Sequence, residues 1–341
     1  MNILYHLTML PPKMPECEAI SQEISALRSH FGGDLNYLNP NQHSPIYVPR
    51  VLFGFHQLKR LRALEIKTNL HIHHVYNPDP FPFPILRLLR CPVVYSLTGG
   101  VERRPNIPFL ASVGAITVAD EKIMERLESW GLDNVALVPP GIDTSRFTCS
   151  PFPLQSEVRL MVGSAPWTRA QFKTKGVEAL LEAARQSSRL RLVFLWRSVL
   201  VEEMECRMHR KGVERQVEIL NRRVNVNKVL AGVHASVALA AGPAIIRAYP
   251  HSLMESLAAG KPVVVSRCIP MADYVERTGC GVVVEDVTPT DILAAIELLT
   301  REYRAFQESA WQVGKRDFSQ QAMITSYHGV YERVLESTNR P

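Results

Sequence analysis

Short apolar runs and longer amphipathic segments alternate along almost the whole chain. Runs rich in Val, Ile, Leu and Tyr recur at Asn2 to Leu7, Leu35 to Leu38, His71 to Val75, Pro92 to Leu97, Ala115 to Val118 and Asn134 to Val138. Each is short enough to be a strand, and apart from His71 to Val75, with its three histidines, they are mainly apolar as buried parallel strands are. Helical spacing fills the gaps: about Glu16 to His30, Arg50 to Leu64, a Pro-broken piece near Ile85 to Leu89, and Asp120 to Trp130. The spacing of Val51, Leu52, Phe55, Leu58, Leu61 and Leu64 predicts one buried helix face, opposite Lys59, Arg60, Arg62 and Lys67. Periodicity lapses over Thr148 to Ser156, where Pro151 and Pro153 mark a linker. The alternation then restarts, with strands at Val158 to Val162, Leu190 to Trp196, Val217 to Leu220, Ala235 to Ala240, Pro262 to Val265 and Gly281 to Glu285. Helices are expected between them, and two more close the chain, about Arg301 to Val313 and Gln320 to Leu335.

Strand–helix alternation repeated twice predicts an α/β fold of two Rossmann-like, doubly wound parallel sheets. The length of 341 residues suits two domains. The predicted division is 1–150 and 151–317, with a final helix at about 318–337 returning to the first domain. Ligands of such sheets bind outside the carboxyl ends of the strands, and a cleft between two domains is a common site.

Composition narrows the class. Apolar residues make up 46% and charged residues 21%, the balance of an ordinary globular chain. The net charge of +6 and pI near 9.0 suit an anionic ligand or surface without calling for nucleic acid. The six cysteines stand singly, which predicts reduced thiols and a cytoplasmic setting. The chain enters a strand at once, with no signal-peptide pattern.

Candidate chemistry concentrates in residues 247–266, RAYPHSLMESLAAGKPVVVS. A Pro-containing loop leads into a short helix, which Gly260 ends before the apolar strand. Ser252 is the expected N-cap, so the amides of Ser252 and Leu253 face outward as an anion site. Glu255, one turn in, either accepts hydrogen bonds from a sugar diol or partners the helix dipole. Between Gly163 and Gly176, Arg169, Lys173 and Lys175 follow a strand and precede a helix, where a diphosphate would be gripped or where a solvated basic loop would lie. Lys175 is the strongest candidate, because Gly176 beside it permits close backbone approach. His251 precedes the cap and either reaches the phosphate or a sugar attached to it or is a simple surface histidine. His71 and His73 share a strand face, but no Asp or Cys spacing accompanies them, and no metal site is expected. Asp120 and Glu121 follow a strand end, where they either face a ligand of the first half or, as acidic pairs at helix starts more often do, cap the helix and partner its dipole. The basic helix within 50–67 offers a peripheral contact for an anionic membrane, or a solvated face.

Three segments carry a resemblance: VPPGIDTSRF, KGVEALLEAAR opening on Lys175 and Gly176, and PHSLMESLAAGKPVVVS. CGVVVEDVTPTDILAAIELL has a compatible form. With these the chain resembles the family 4 glycosyltransferases of GT-B fold over nearly its whole length. The resemblance implies a nucleoside-diphosphate sugar held by the second half, and a glycan, lipid-linked or small-molecule acceptor on the first. It implies retaining transfer, usually without a metal or other cofactor. It assigns the ribose to Glu255, the diphosphate to Lys175 and the distal phosphate to the amides of Ser252 and Leu253. Arg247 stands where the family usually has a glutamate, Ala248 where a glycine follows it, and Thr98 where a histidine is frequent. The first loop, PPKMPECE, lacks the usual Gly-Gly pair. Arg247 could pair with a uronate or second phosphate. Thr98, Gly99 and Gly100 would line the acceptor side. Thr98 cannot serve as a general base near neutral pH, so catalysis would rest on positioning and on cationic stabilisation of the leaving phosphate. The same replacements suit a second reading: a GT-B subunit that binds the nucleotide sugar without turnover.

Overall fold

The computed structural model describes residues 1–12, 18–101, 103–163, 165–242 and 246–338. The chain divides into two units, 1–141 with 320–341, and 142–319. The first crossing lies ahead of the predicted boundary, and the segment read as a linker belongs to the second unit.

The first unit holds a six-stranded parallel sheet, ordered β2-β1-β3-β4-β5-β6. Its strands are β1 (Ile3–Leu7), β2 (Asp34–Tyr37), β3 (Ile72–Asn77), β4 (Val93–Leu97), β5 (Ala115–Val118) and β6 (Val135–Leu137). Helices α1 (Ala19–Phe31), α2 (Leu58–Lys67), α3 (Ile107–Leu110) and α4 (Glu121–Ser129) connect them. Asp120 caps α4 by accepting from the Ile123 amide at 3.0 Å, the role its type predicts. The predicted start of α1 at Glu16 lies outside the described residues. The closing helix, Gln320–Thr338, belongs to this unit and seats Tyr331 against His74, whose Nδ1 is 2.7 Å from the phenol oxygen.

Two predicted helices are corrected. Residues 50–64 do not form one helix. They form two 3₁₀ turns, Arg50–Leu52 and Phe55–Gln57, before α2. Gly54 takes φ +84° between them, a left-handed conformation that breaks the helix. Its amide donates to the Leu38 carbonyl at 3.0 Å. Val51, Leu52 and Phe55, expected in the core, are therefore exposed. Near Ile85 the chain forms only a 3₁₀ turn, Pro84–Leu88.

The second unit repeats the architecture with a different order, β12-β11-β10-β7-β8-β9, again all parallel. It comprises β7 (Val158–Val162), α5 (Gln171–Thr174), α6 (Val177–Gln186), β8 (Leu190–Leu195), α7 (Val201–Lys211), β9 (Val217–Leu220), α8 (Val226–Ala231), β10 (Ala235–Ala238) and α9 (His251–Ala258). There follow β11 (Val263–Ser266), α10 (Met271–Thr278), β12 (Gly281–Val284), α11 (Pro289–Arg301) and α12 (Tyr303–Arg316). Numbered within the unit, the strands run 3-2-1-4-5-6, the order of dinucleotide-binding sheets. Valines 263, 264 and 265 of β11 are fully buried, as the unbroken β-branched run requires. Helix α12 crosses α9 at Gly314, where a Cβ would lie 2.2 Å from the Leu257 carbonyl carbon. That crossing seats α9 firmly on the sheet.

Candidate functional site

In the second unit the connections reverse direction between β7 and β10, which are hydrogen-bonded neighbours. The loops leaving their carboxyl ends diverge there and leave a crevice, where open α/β sheets take ligands. One loop begins at Gly163, and the other leads to α9. At the end of β7 the first turn of α9 comes close, for a Cβ on Gly163 would lie 2.4 Å from the Ser252 Cβ. Glycine at 163 is what lets the first turn of α9 approach the end of β7.

Ser252 is not the cap. Helix α9 starts at His251, and Pro250 occupies the N-cap with φ −65° and ψ 128°. Proline's ring fixes that φ, and lacking an N–H it leaves one donor fewer to satisfy at the entry. Ser252 is the second helical residue. The Leu253 amide is already bonded to the Pro250 carbonyl at 3.0 Å. Gly260, at φ +68°, ends the helix as its type predicts.

Lys175 ends the single turn of α5 and is buried, with its Nζ donating to the Ala165 carbonyl at 3.1 Å. Gly176 follows at φ +67° as the N-cap of α6. Its missing side chain leaves room for Leu239 and Val287, each with an atom 2.8 Å from where a Cβ would stand. Lys175, Arg197, Gly163 and Trp167 help to line a cavity of about 80 Å³. Whole small-molecule sites run to roughly 300 Å³ or more. This one accommodates a single compact group, and its two cations suit a phosphate. Arg169 is turned elsewhere: its side chain is 80% exposed and stands 3.5 Å from Glu203.

Arg197 was not foreseen. It follows the end of β8 by two residues, and that position at a strand's carboxyl edge was the available signal. Its charge also reaches Glu255. The Glu255 carboxyl is pushed up to about 7, chiefly by burial, against the opposing pull of Arg146 and Arg197. Among the described residues its carboxylate has no hydrogen-bond donor. An acid in that state is set to accept donors from a ligand. Arg146 lies in the 3₁₀ turn Thr144–Arg146, within the VPPGIDTSRF segment. Arg247 and His251, both half-buried, flank the entry to α9.

The remaining candidates lie in the first unit. Thr98 follows β4 and donates from its amide to the Asn77 carbonyl at 3.0 Å. Gly99 passes close to Pro78, whose carbonyl oxygen would be 2.5 Å from a Cβ. Gly100 is half-buried beside it. Residues 13–17 of the PPKMPECE stretch lie outside the described residues. His71 precedes β3 and accepts from the Asn2 amide at 3.2 Å. Glu65, His73 and Cys91 bring ligand atoms within 4.8 Å of one another. Each is already engaged: His73 Nε2 with Glu65 Oε1 at 3.0 Å, and the Cys91 thiol with the Leu70 carbonyl at 3.1 Å.

Residues 168–315 match the family model for glycosyl transferases group 1. No curated protein matches the chain. Among solved structures, it is similar to a glycosyltransferase from Rickettsia africae ESF-5, with a TM-score of 0.76 and 12% identity over 98% of both chains. It is also similar to Anabaena HepE in complex with UDP, at TM-score 0.74 and 14% identity over 97% of this chain and 100% of that one. A third is sucrose-phosphate synthase from Thermosynechococcus elongatus, at TM-score 0.71 and 13% identity over 98% and 99%. At these identities the likeness shows the fold, which is GT-B.

Proposed function

We propose that this chain, whose residues 168–315 match the group 1 glycosyl transferase model, is a glycosyltransferase that moves a sugar from a nucleoside-diphosphate sugar to an acceptor hydroxyl, with retention and without a metal. The observation that carries the reading is the junction of two cations, Lys175 and Arg197, with the start of α9 and an undonated Glu255, all at the switch point of one sheet. UDP and UDP-glucose are the first donors to try, since HepE has been solved with both.

Lys175 and Arg197 hold the diphosphate. The Ser252 amide and the dipole of α9 face the distal phosphate, the Leu253 amide being taken by the Pro250 carbonyl. Glu255 accepts two hydrogen bonds from the ribose diol, which draws it toward the carboxylate form. Arg247 and His251, at the entry to α9, face the donor sugar. Arg247 then favours a sugar carrying an anionic group. In transfer the bond from the anomeric carbon to phosphate oxygen breaks and one to the acceptor oxygen forms. The acceptor's proton passes to a phosphate oxygen, so no side-chain base is needed. The cations stabilise the departing diphosphate more than the bound donor, and this difference is the catalytic contribution. The first unit supplies the acceptor side through Thr98, Gly99 and Gly100, and the basic face of α2 offers a peripheral contact for an anionic membrane.

Binding and turnover are tested together. UDP-glucose should raise the melting temperature, and released UDP should be detected with a suitable acceptor. Lys175→Ala should weaken binding by about 30-fold or more, the effect of losing a charge-assisted contact of roughly 2 kcal/mol. Unchanged affinity in Lys175→Ala would refute the site. Tight binding with no turnover for any of a panel of donors would identify a non-catalytic subunit.

A further inference from the structure

The first unit contains a hollow of about 770 Å³ at the carboxyl end of β2, walled by that strand, the loop 39–48 and the 3₁₀ turns that replace the predicted helix. Its size is that of a small-molecule site. Among the described residues its lining contains no Asp, Glu, Lys or Arg, and its imidazoles are His43 and His56, of which His56 is held toward the neutral form by burial and by the Arg60 charge. Asn36, Asn39, Gln42 and Gln57 supply amides, while Tyr37 and Phe55 supply aromatic surface. Arg60, the nearest guanidinium, is already taken up by the amide oxygens of Asn36 and Gln57, so an ionised ligand would lose water there for little new counter-charge. Amides beside aromatic faces suit a hydroxyl-rich, uncharged ligand.

Asn36 is 93% buried by its 7% exposure, and its orientation is fixed from behind. Arg60 donates to its Oδ1. Its Nδ2 therefore donates to His6 Nδ1, at 3.2 Å. His6 must then carry its proton on Nε2, which donates to His73 Nδ1 at 2.9 Å. His73 in turn donates from Nε2 to Glu65 Oε1 at 3.0 Å, which also accepts from the amides of Arg90 at 2.6 Å and Cys91 at 3.2 Å. Burial drives both histidines toward the neutral state this sequence of donors requires. Only one assignment of protons satisfies every link. The amide keeps one N–H and one lone pair beyond these bonds.

We propose that this hollow binds the acceptor as an uncharged, hydroxyl-rich glycan segment, with Asn36 as a specificity-determining contact held in one orientation by the His6–His73–Glu65 chain. The inference rests on the glycosyltransferase reading but is tested apart from it. The full chain is mixed in turn with maltotriose, cellotriose and chitotriose, with anionic trigalacturonate, and with vesicles of equal parts phosphatidylcholine and phosphatidylglycerol. Saturation-transfer NMR reads the saccharides and co-sedimentation reads the vesicles. UDP-glucose binding is measured on the same samples. Leu52→Trp narrows the hollow at a position already 49% exposed, and Gln42→Ala removes one exposed amide. A neutral trisaccharide should saturate, the signal should fall at least about tenfold in Leu52→Trp and measurably in Gln42→Ala, and UDP-glucose affinity should be unchanged. Silence from all three neutral sugars would overturn the proposal. So would a signal confined to trigalacturonate, a neutral signal that survives both substitutions, or vesicle binding lost in Leu52→Trp without any sugar signal. Failure of UDP-glucose to bind would instead strike the donor reading and leave the sugar result standing.

Discussion

The two sheets prepare their carboxyl edges by opposite means. In the second unit the switch between β7 and β10 is made by backbone: Gly163 against Ser252, left-handed Gly176 beside Lys175, and a helix start aimed at the crevice. In the first unit the corresponding switch lies between β1 and β3, and side chains make it. Thr8 donates to Asn77 Oδ1 at 2.5 Å, Asn77 donates to Asp79 at 2.7 Å, and Arg50 grips Asp79 with two bonds of 2.8 and 2.7 Å. Beneath lies the polar chain through His6, His73 and Glu65, whereas β7 and β10 of the second unit bury Leu160, Met161 and Val237. Amides and cations suit a phosphate. Hydroxyl and amide side chains, with the Arg50–Asp79 charges paired to each other, suit a ligand with hydroxyls. One sheet architecture thus offers two kinds of edge, and the difference lies in residue type at the strand ends.

Breaking the side-chain edge should have the largest effect. His73→Leu leaves the Glu65 carboxylate and His6 without their partner, so it should cost about 3–5 kcal/mol of stability, read by urea denaturation. UDP-glucose affinity in the surviving folded fraction should not change, and a change would tie the two edges together. Gly163→Ala attacks the backbone edge. Its Cβ cannot coexist with Ser252 in place, so roughly 1–3 kcal/mol of stability should be lost, with weaker UDP-glucose binding by calorimetry. A full-affinity variant would show that the close approach of these loops is unimportant to the donor.

A pH series sharpens the comparison further. Burial holds Glu255 at about 7, and a ribose diol favours the carboxylate, so UDP-glucose affinity should rise with pH between 6 and 8, by up to about tenfold. Glu255→Gln should flatten that rise. In the unliganded chain the sign is reversed. The fold retains a proton that an unfolded glutamate has already released, so this group's contribution to stability falls as pH climbs from about 4.5 toward 7. The smallest effect concerns Lys261, fully buried at the end of α9 with its Nζ lacking a hydrogen-bond acceptor among the described residues, and held down to about 8 by burial. Lys261→Met should raise stability by about 1 kcal/mol, seen as a higher melting temperature with donor binding unchanged.

Much of this was legible from the chain alone. The strands were found because buried parallel strands are continuous apolar runs, and β11 is the plainest of them. Gly260 and Asp120 were read correctly because left-handed φ and N-capping each select a residue type. The apolar spacing over Arg50 to Leu64 is helical, but Gly54 at φ +84° interrupts it. Serine's capping preference points to Ser252, whereas the helix is entered from Pro250. Arg197 escaped because no local pattern links it to Lys175, 22 positions earlier. Asn36 escaped because nothing near it in the chain reveals His6 or His73.

What the sequence determined by itself is what depends on neighbours along the chain: element type, helix ends, the two-fold strand–helix alternation, and the pairing of Lys175 with Gly176. Hydrophobic period and backbone preference act over a few residues, so a few residues disclose them. The tertiary structure alone decided which sheet order each unit took, that Gly163 abuts Ser252, and that Arg197 and Glu255 share one electrostatic field. It alone threaded a single proton arrangement from Asn36 to Glu65. Those facts depend on distances between residues far apart in the chain, and burial, which sets both the charge state of Glu255 and the neutrality of the histidines, exists only once the sheets have closed over them.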